Sequence, residues 1–154
     1  MNYFGVSTKT NSNIEILQQI RAEQKSVYAL EHMLGYHINE LEELRPHKKN
    51  IAFIAKSNYE EQPDLIDLSH WLERISNIEE SIKKNEEIIP KLYQRLYSQI
   101  IFKILEGEEL SELDVFFYQS KKYIEKISSG EMSFRTMVEH YNWDSQEFEG
   151  LENN

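Results

Sequence analysis

The rhythm of apolar and polar positions is helical almost from one end of the chain to the other. Between Asn13 and Leu44, the residues Leu17, Ile20, Val27, Leu34, Ile38 and Leu41 recur at helical steps or multiples of them. They predict one stripe along a helix some 45–50 Å long, at about 1.5 Å per residue. Gln24 and Glu31 interrupt that stripe, and Arg21 to Ser26 holds almost nothing apolar, so the first turns read as a looser arm. Gly35, inside the helix, reads as a point of close packing. Pro46 marks a kink or an end, because the residue before a proline is driven out of the α region. Beyond it Ile51, Ile54 and Ala55 share a helical face, and the polar run Ser57 to Gln62 reads as the connector where the chain first reverses.

A second long element begins near Pro63 or Asp64 and carries the most regular seam: Leu68, Trp71, Ile75, Ile78, Ile82, then Ile89, Leu92 and Leu96. Asn85 falls on that seam, a placement that fixes register between helices at some cost in stability. Pro90 interrupts the element, but the seam keeps its phase beyond it, which predicts a kinked helix or two abutting ones. Gly107 is placed as a left-handed cap. A medium helix follows, opened by Ser111 with Asp114 and striped by Leu110, Leu113, Phe117, Ile124 and Ile127, and Ser128-Ser129-Gly130 stops it. Ser133 opens a short helix with Phe134, Met137, Val138 and Tyr141.

The expected architecture is therefore all-α: a long, coiled-coil-like antiparallel hairpin with one medium and one short helix packed on it. Residues 1–143 read as one helical-bundle domain, and residues 144–154 as an acidic, mobile C-terminal tail.

Composition narrows the function classes. Lys and Arg number 17 against 27 Asp and Glu, a formal charge of −10, and there is no Cys. Disulfides, thiolate metal sites and Cys nucleophiles are excluded. The negative balance opposes binding to a nucleic-acid backbone and favours a protein partner with a basic surface. Met1 to Asn13 lacks the apolar core of a signal peptide, and no run of about 18 apolar residues occurs, so a cytoplasmic protein without a membrane span is expected. The five glycines are dispersed, so there is no phosphate-binding loop and no Gly-x-Ser-x-Gly elbow. Asp67-x-x-His70 and His37-x-x-Glu40 lie beside the seams rather than on them, and no metal or other cofactor is expected.

One short motif carries chemistry. Arg135-Thr136-Met137-Val138-Glu139-His140 resembles the Arg-x4-His motif of the HEPN family of helical ribonucleases. The resemblance covers these six residues and implies an RNA-cleaving site, in which Arg135 and His140 would cradle the scissile phosphate and His140 would take part in proton transfer. Thr136 stands where that family often has Asn.

The remaining signal is recognition. Off the main stripes, Phe116, Tyr118 and Tyr123 cluster on the medium helix, and Tyr141, Trp143 and Phe148 cluster near the C-terminus among acidic residues. Tyr and Trp are enriched at binding hot spots, so these six are the candidate protein-binding residues. The leading expectation is a non-catalytic interaction module, an acidic helical adaptor or inhibitor docking on a basic protein, with nucleic-acid-binding proteins among the candidate partners. The alternatives are a structural coiled-coil homo-oligomer, such as a homodimer paired through its seams, and the HEPN-like ribonuclease.

Overall fold

The computed structural model describes residues 15–16, 27–64 and 67–151. The expected stripe positions Leu17, Ile20 and Gln24, with the looser arm, lie outside the described residues. The described chain forms α1 (Val27–Glu61), α2 (Leu68–Leu105), α3 (Glu112–Gln119), α4 (Lys121–Ser129), α5 (Phe134–Glu139), and two short strands, β1 (Tyr141–Asn142) and β2 (Glu147–Phe148).

The two long helices pack against each other as an antiparallel hairpin. Glu40 meets Asn85 while Lys48 meets Glu79, so positions advance on α1 as they recede on α2. The buried stripe of α1 is Val27, Leu30, Leu34, Ile38 and Leu41, continued by Ile51 and Ala55. On α2 it is Ile89, Tyr93, Leu96 and Ile100. Asn85 is buried on the seam as its position predicts, donating to Glu40 and to the Ser81 carbonyl (3.3 and 2.8 Å), while its Oδ1 lies 2.9 Å from His37 Nδ1. This layer favours one register, because a slipped pairing would bury the amide without partners.

The polar run Ser57 to Gln62 is not the reversal. Helix α1 continues to Glu61, and the chain turns only around Pro63. Ser57 and Asn58 are half-buried rather than in a loop, and polar residues do not break a helix unless they capture its backbone. Proline does, by pushing the residue before it out of the α region. Asp67 then caps α2 by accepting from the Ser69 amide at 3.1 Å.

Neither Pro46 nor Pro90 ends its helix. Each deprives the carbonyl four residues earlier of its donor. For Pro90 that carbonyl is Glu86, and Ser128 Oγ on α4 donates to it at 2.8 Å. Pro46 is exposed, where water can serve the Glu42 carbonyl.

The expected medium helix is two helices broken at Ser120, with α3 opened by a reciprocal Ser111–Asp114 capping box. The break is anchored by the Phe117 carbonyl, which accepts from the Ser120 amide and hydroxyl and from Tyr93 Oη at 2.6 Å. Arg45 closes the far end of α4, donating to the carbonyls of Ile127 and Ser128 and pairing with Glu86 at 2.9 Å. Gly130 follows with φ 89°, and a Cβ there would meet the Arg45 guanidinium carbon at 3.2 Å. Glu42 accepts from the Phe134 amide at the start of α5.

Of the expected tail, residues 144–151 are described, and they pack against the body. Strands β1 and β2 pair antiparallel, Tyr141 opposite Phe148, and Phe148 and Leu151 join the core. The acidic residues of this segment face outward while its alternate apolar residues face in, so overall charge concealed a folded hairpin.

Removing Ser128 Oγ strands the Glu86 carbonyl only because residue 90 has no amide hydrogen. Ser128→Ala should therefore cost about 1–2 kcal/mol in urea unfolding, and clearly less in a Pro90→Ala background, where the new amide supplies the bond.

Candidate functional site

Four of the six candidate binding residues are interior. Phe116, Tyr123, Tyr141 and Phe148 are buried. They form one aromatic cluster: Phe116 lies 5.0 Å from Tyr141 and 5.8 Å from Phe148, and Tyr123 lies 4.9 Å from Phe148. This cluster pins the C-terminal hairpin to α3 and α4, and in this conformation it offers no area to a partner. Trp143 lies over Phe116 at 5.2 Å with 41 % of its surface exposed. Tyr118 is half-buried and stacked on Tyr97 at 5.3 Å. The hydroxyls of Tyr123 and Tyr141 are buried with no hydrogen-bond partner among the described residues.

Arg135 and His140 engage separate groups. Arg135 is exposed and pairs with Glu139 at 3.1 Å, one turn along α5. His140 Nδ1 lies 2.9 Å from the Glu149 carbonyl, which ties the end of α5 to the residue that follows β2. The histidine–acid pairs beside the seams are structural too: Asp67 is the cap of α2, His70 stands edge-on to Trp71 at 5.9 Å, and His37 and Glu40 serve Asn85. Among the described residues no three His, Cys, Asp or Glu side chains converge as metal ligands. None of the described helices is long and apolar enough to cross a membrane.

A groove of about 450 Å³ runs between α2 and α4, lined by Pro90, Tyr93, Tyr97, Ile101, Lys121 and Ile124 among others. Lys121 Nζ lies 4.8 Å from the Tyr97 ring centroid, a cation–π contact at the groove's edge. Burial holds the Tyr93 phenol well above its ordinary value, and its hydroxyl is committed to the Phe117 carbonyl. The polar residues of its lining are Gln94, Ser98, Lys121 and Glu125, beside the two tyrosines.

A buried ionisable cluster is the feature sequence reasoning underread. Glu31, noted only as a flaw in the stripe, faces Asp114 and Lys103 under the start of α3. Lys103 Nζ is 2.9 Å from Asp114 Oδ2. Burial, the hydrogen bond to Asp114 and the charge of Asp114 push the Glu31 carboxyl up to about 8, against the opposing pull of Lys103. Burial alone would raise Asp114 as well, but hydrogen bonds from Glu31, Lys103 and the Ser111 amide outweigh it and hold the group below its ordinary value.

The second missed feature is the far half of the hairpin. Beyond Arg45 on α1 and before Asn85 on α2 the two helices project as an arm. Of the core cluster's fully buried residues, none comes from this half, and Leu68, Trp71, Ile75 and Ile78 are only half-buried. Large apolar side chains stand in the open: Phe53 at 71 %, Leu72 at 57 %, Ile54 at 45 % and Tyr59 at 44 %. Phe53, Tyr59 and Leu72 stand beside the expected seam, whereas Ile54, expected on one face with Ile51 and Ala55, turns outward while those two are buried. The chain matches no family model, no curated protein and no solved structure.

The aromatic cluster behaves as core in two opposite ways. Phe148→Ala should cost about 3–5 kcal/mol in thermal or urea unfolding. Tyr123→Phe, which deletes an unpartnered buried hydroxyl, should leave stability equal or higher.

Proposed function

We propose that this protein is a non-catalytic protein-interaction module that docks through its two-helix arm. The observation that carries this reading is the exposure of Phe53, Leu72, Ile54 and Tyr59 on an arm that no other described element covers. Isolated apolar side chains on a surface are ordinary, but several large ones gathered on one projecting element are a feature of docking surfaces. Of the motif residues that suggested chemistry, Arg135 pairs with Glu139 and His140 Nδ1 lies against the Glu149 carbonyl.

The partner that suits this surface is a protein with apolar residues ringed by positive charge. The net charge of −10 draws cationic molecules at a distance, while the arm itself carries both signs, with Asp67, Glu73 and Glu80 beside Lys49, Lys56 and Arg74. Apolar contact then supplies most of the affinity, while charge supplies encounter rate and choice of partner. An adaptor or an inhibitor of a basic, nucleic-acid-binding protein fits this description, with the arm lying over the partner's cationic face.

The test is capture from lysate by the wild type beside a Phe53→Glu, Leu72→Glu double variant. Both positions are exposed, so each substitution should move stability by about 0.5 kcal/mol or less. The wild type should retain a partner that the variant loses while its helical spectrum and melting temperature stay unchanged. A partner retained equally by both, or recovered by neither, refutes docking through the arm.

A further inference from the structure

Glu31 and Asp114 take no part in the docking surface, and their chemistry is unusual. Both are withdrawn from water, at 4 % and 2 % exposed, and they face each other with a single cation, Lys103, beside them. Two carboxylates against one ammonium would leave one negative charge in excess, and burial disfavours it. One proton must therefore stay with the pair, and the surroundings decide where. Asp114 Oδ2 accepts from the Ser111 amide at 3.0 Å and from Lys103 at 2.9 Å, and both contacts favour its ionised form. Glu31 Oε2 has no hydrogen-bond partner among the described residues, so no donor supports a charge there. The proton belongs to Glu31, which donates to Asp114.

We propose that this proton is a latch: while Glu31 holds it, the segment from Glu106 through α3 is closed on the hairpin, and when Glu31 loses it that segment opens while the α1–α2 seam stays paired. The groups facing Glu31 are Asp114 from α3 and Lys103 from α2. Lys103 is already engaged by Asp114, so a second carboxylate gains little from it. Asp114 is also the residue that closes the capping box of α3, so repulsion acts directly on that helix's first turn. The same segment carries exposed Glu106, Glu108, Glu109 and Glu112, which favour its departure once it is released. Opening uncovers Phe116 and Phe117, now interior. The latch thus governs access to an aromatic surface separate from the arm.

The direction with pH follows from proton counting. The closed form holds a proton up to about pH 8, whereas a carboxyl released to water loses it near its ordinary 4.5. Between these limits the closed form binds one proton more than the open form, so closure weakens as pH rises. The opening constant should grow about tenfold per pH unit across that window and level off above it.

Amide hydrogen exchange of the whole protein between about pH 5.5 and 8.5, expressed as protection factors, tests this. Protection across α3 should fall about tenfold per pH unit while that of the α1–α2 seam stays level. In Glu31→Gln, whose neutral amide still donates to Asp114, α3 should remain protected at the alkaline end. A level α3 profile in the wild type overturns the proposal, as does an equal fall in α3 and the seam, or a slope that survives in Glu31→Gln. If that variant does not fold, the wild-type profiles decide between these outcomes alone.

Discussion

The short helices depend on one guanidinium. Arg45 reaches from the middle of α1 to the last carbonyls of α4 and to Glu86 on α2, joining three helices at one point. The end of a helix presents unpaired carbonyls and a partial negative charge, and a planar cation with several donors answers both at once. Lysine has the charge but not the fork. One turn earlier, Glu42 does the converse job at the start of α5, so a single stretch of α1 grips both sides of the Gly130–Ser133 link. The aromatic cluster and the C-terminal hairpin can assemble only because α4 and α5 are fixed there. The interior of the body is thus laid down on polar contacts that apolar patterning does not reveal.

Legibility followed physical type. The long stripes of α1 and α2, the Asn85 layer, the Gly107 and Gly130 terminators and the Ser111–Asp114 cap are local facts, written in spacing and in single residues with strong backbone preferences. Both internal prolines were legible as disturbances, but their outcome was not. The donor that relieves Pro90 comes from Ser128, distant in sequence, and no local pattern points to it. Ser120 is the same case: a helix broken at a buried serine, held by a tyrosine hydroxyl from α2.

That hidden break also bears on why four of the six candidate residues lie in the interior. Phe116, Tyr118 and Tyr123 lie off a stripe drawn for one straight helix over residues 111–127. The break at Ser120 lets α3 and α4 each settle separately, and each buries an adjacent pair, Phe116 with Phe117 and Tyr123 with Ile124. Tyr141 and Phe148 follow, since a paired strand sends alternate side chains to one face. The residues that do stand exposed, Phe53 and Leu72, sit in a region whose seam looks complete by itself. A two-helix seam buries only the strip between its helices, and what lies beside that strip is decided by whether a third element arrives.

The arm also has a mechanical meaning. Some 16 residues of α1 lie beyond Arg45, a cantilever of roughly 24 Å. Its root is clamped by the Arg45 and Asn85 contacts, so a tilt of about 10° there sweeps the tip through roughly 4 Å without disturbing the seam. Stiffness along the rod with compliance at the root lets the tip search for its seat as a rigid object, giving up little freedom when it finds one.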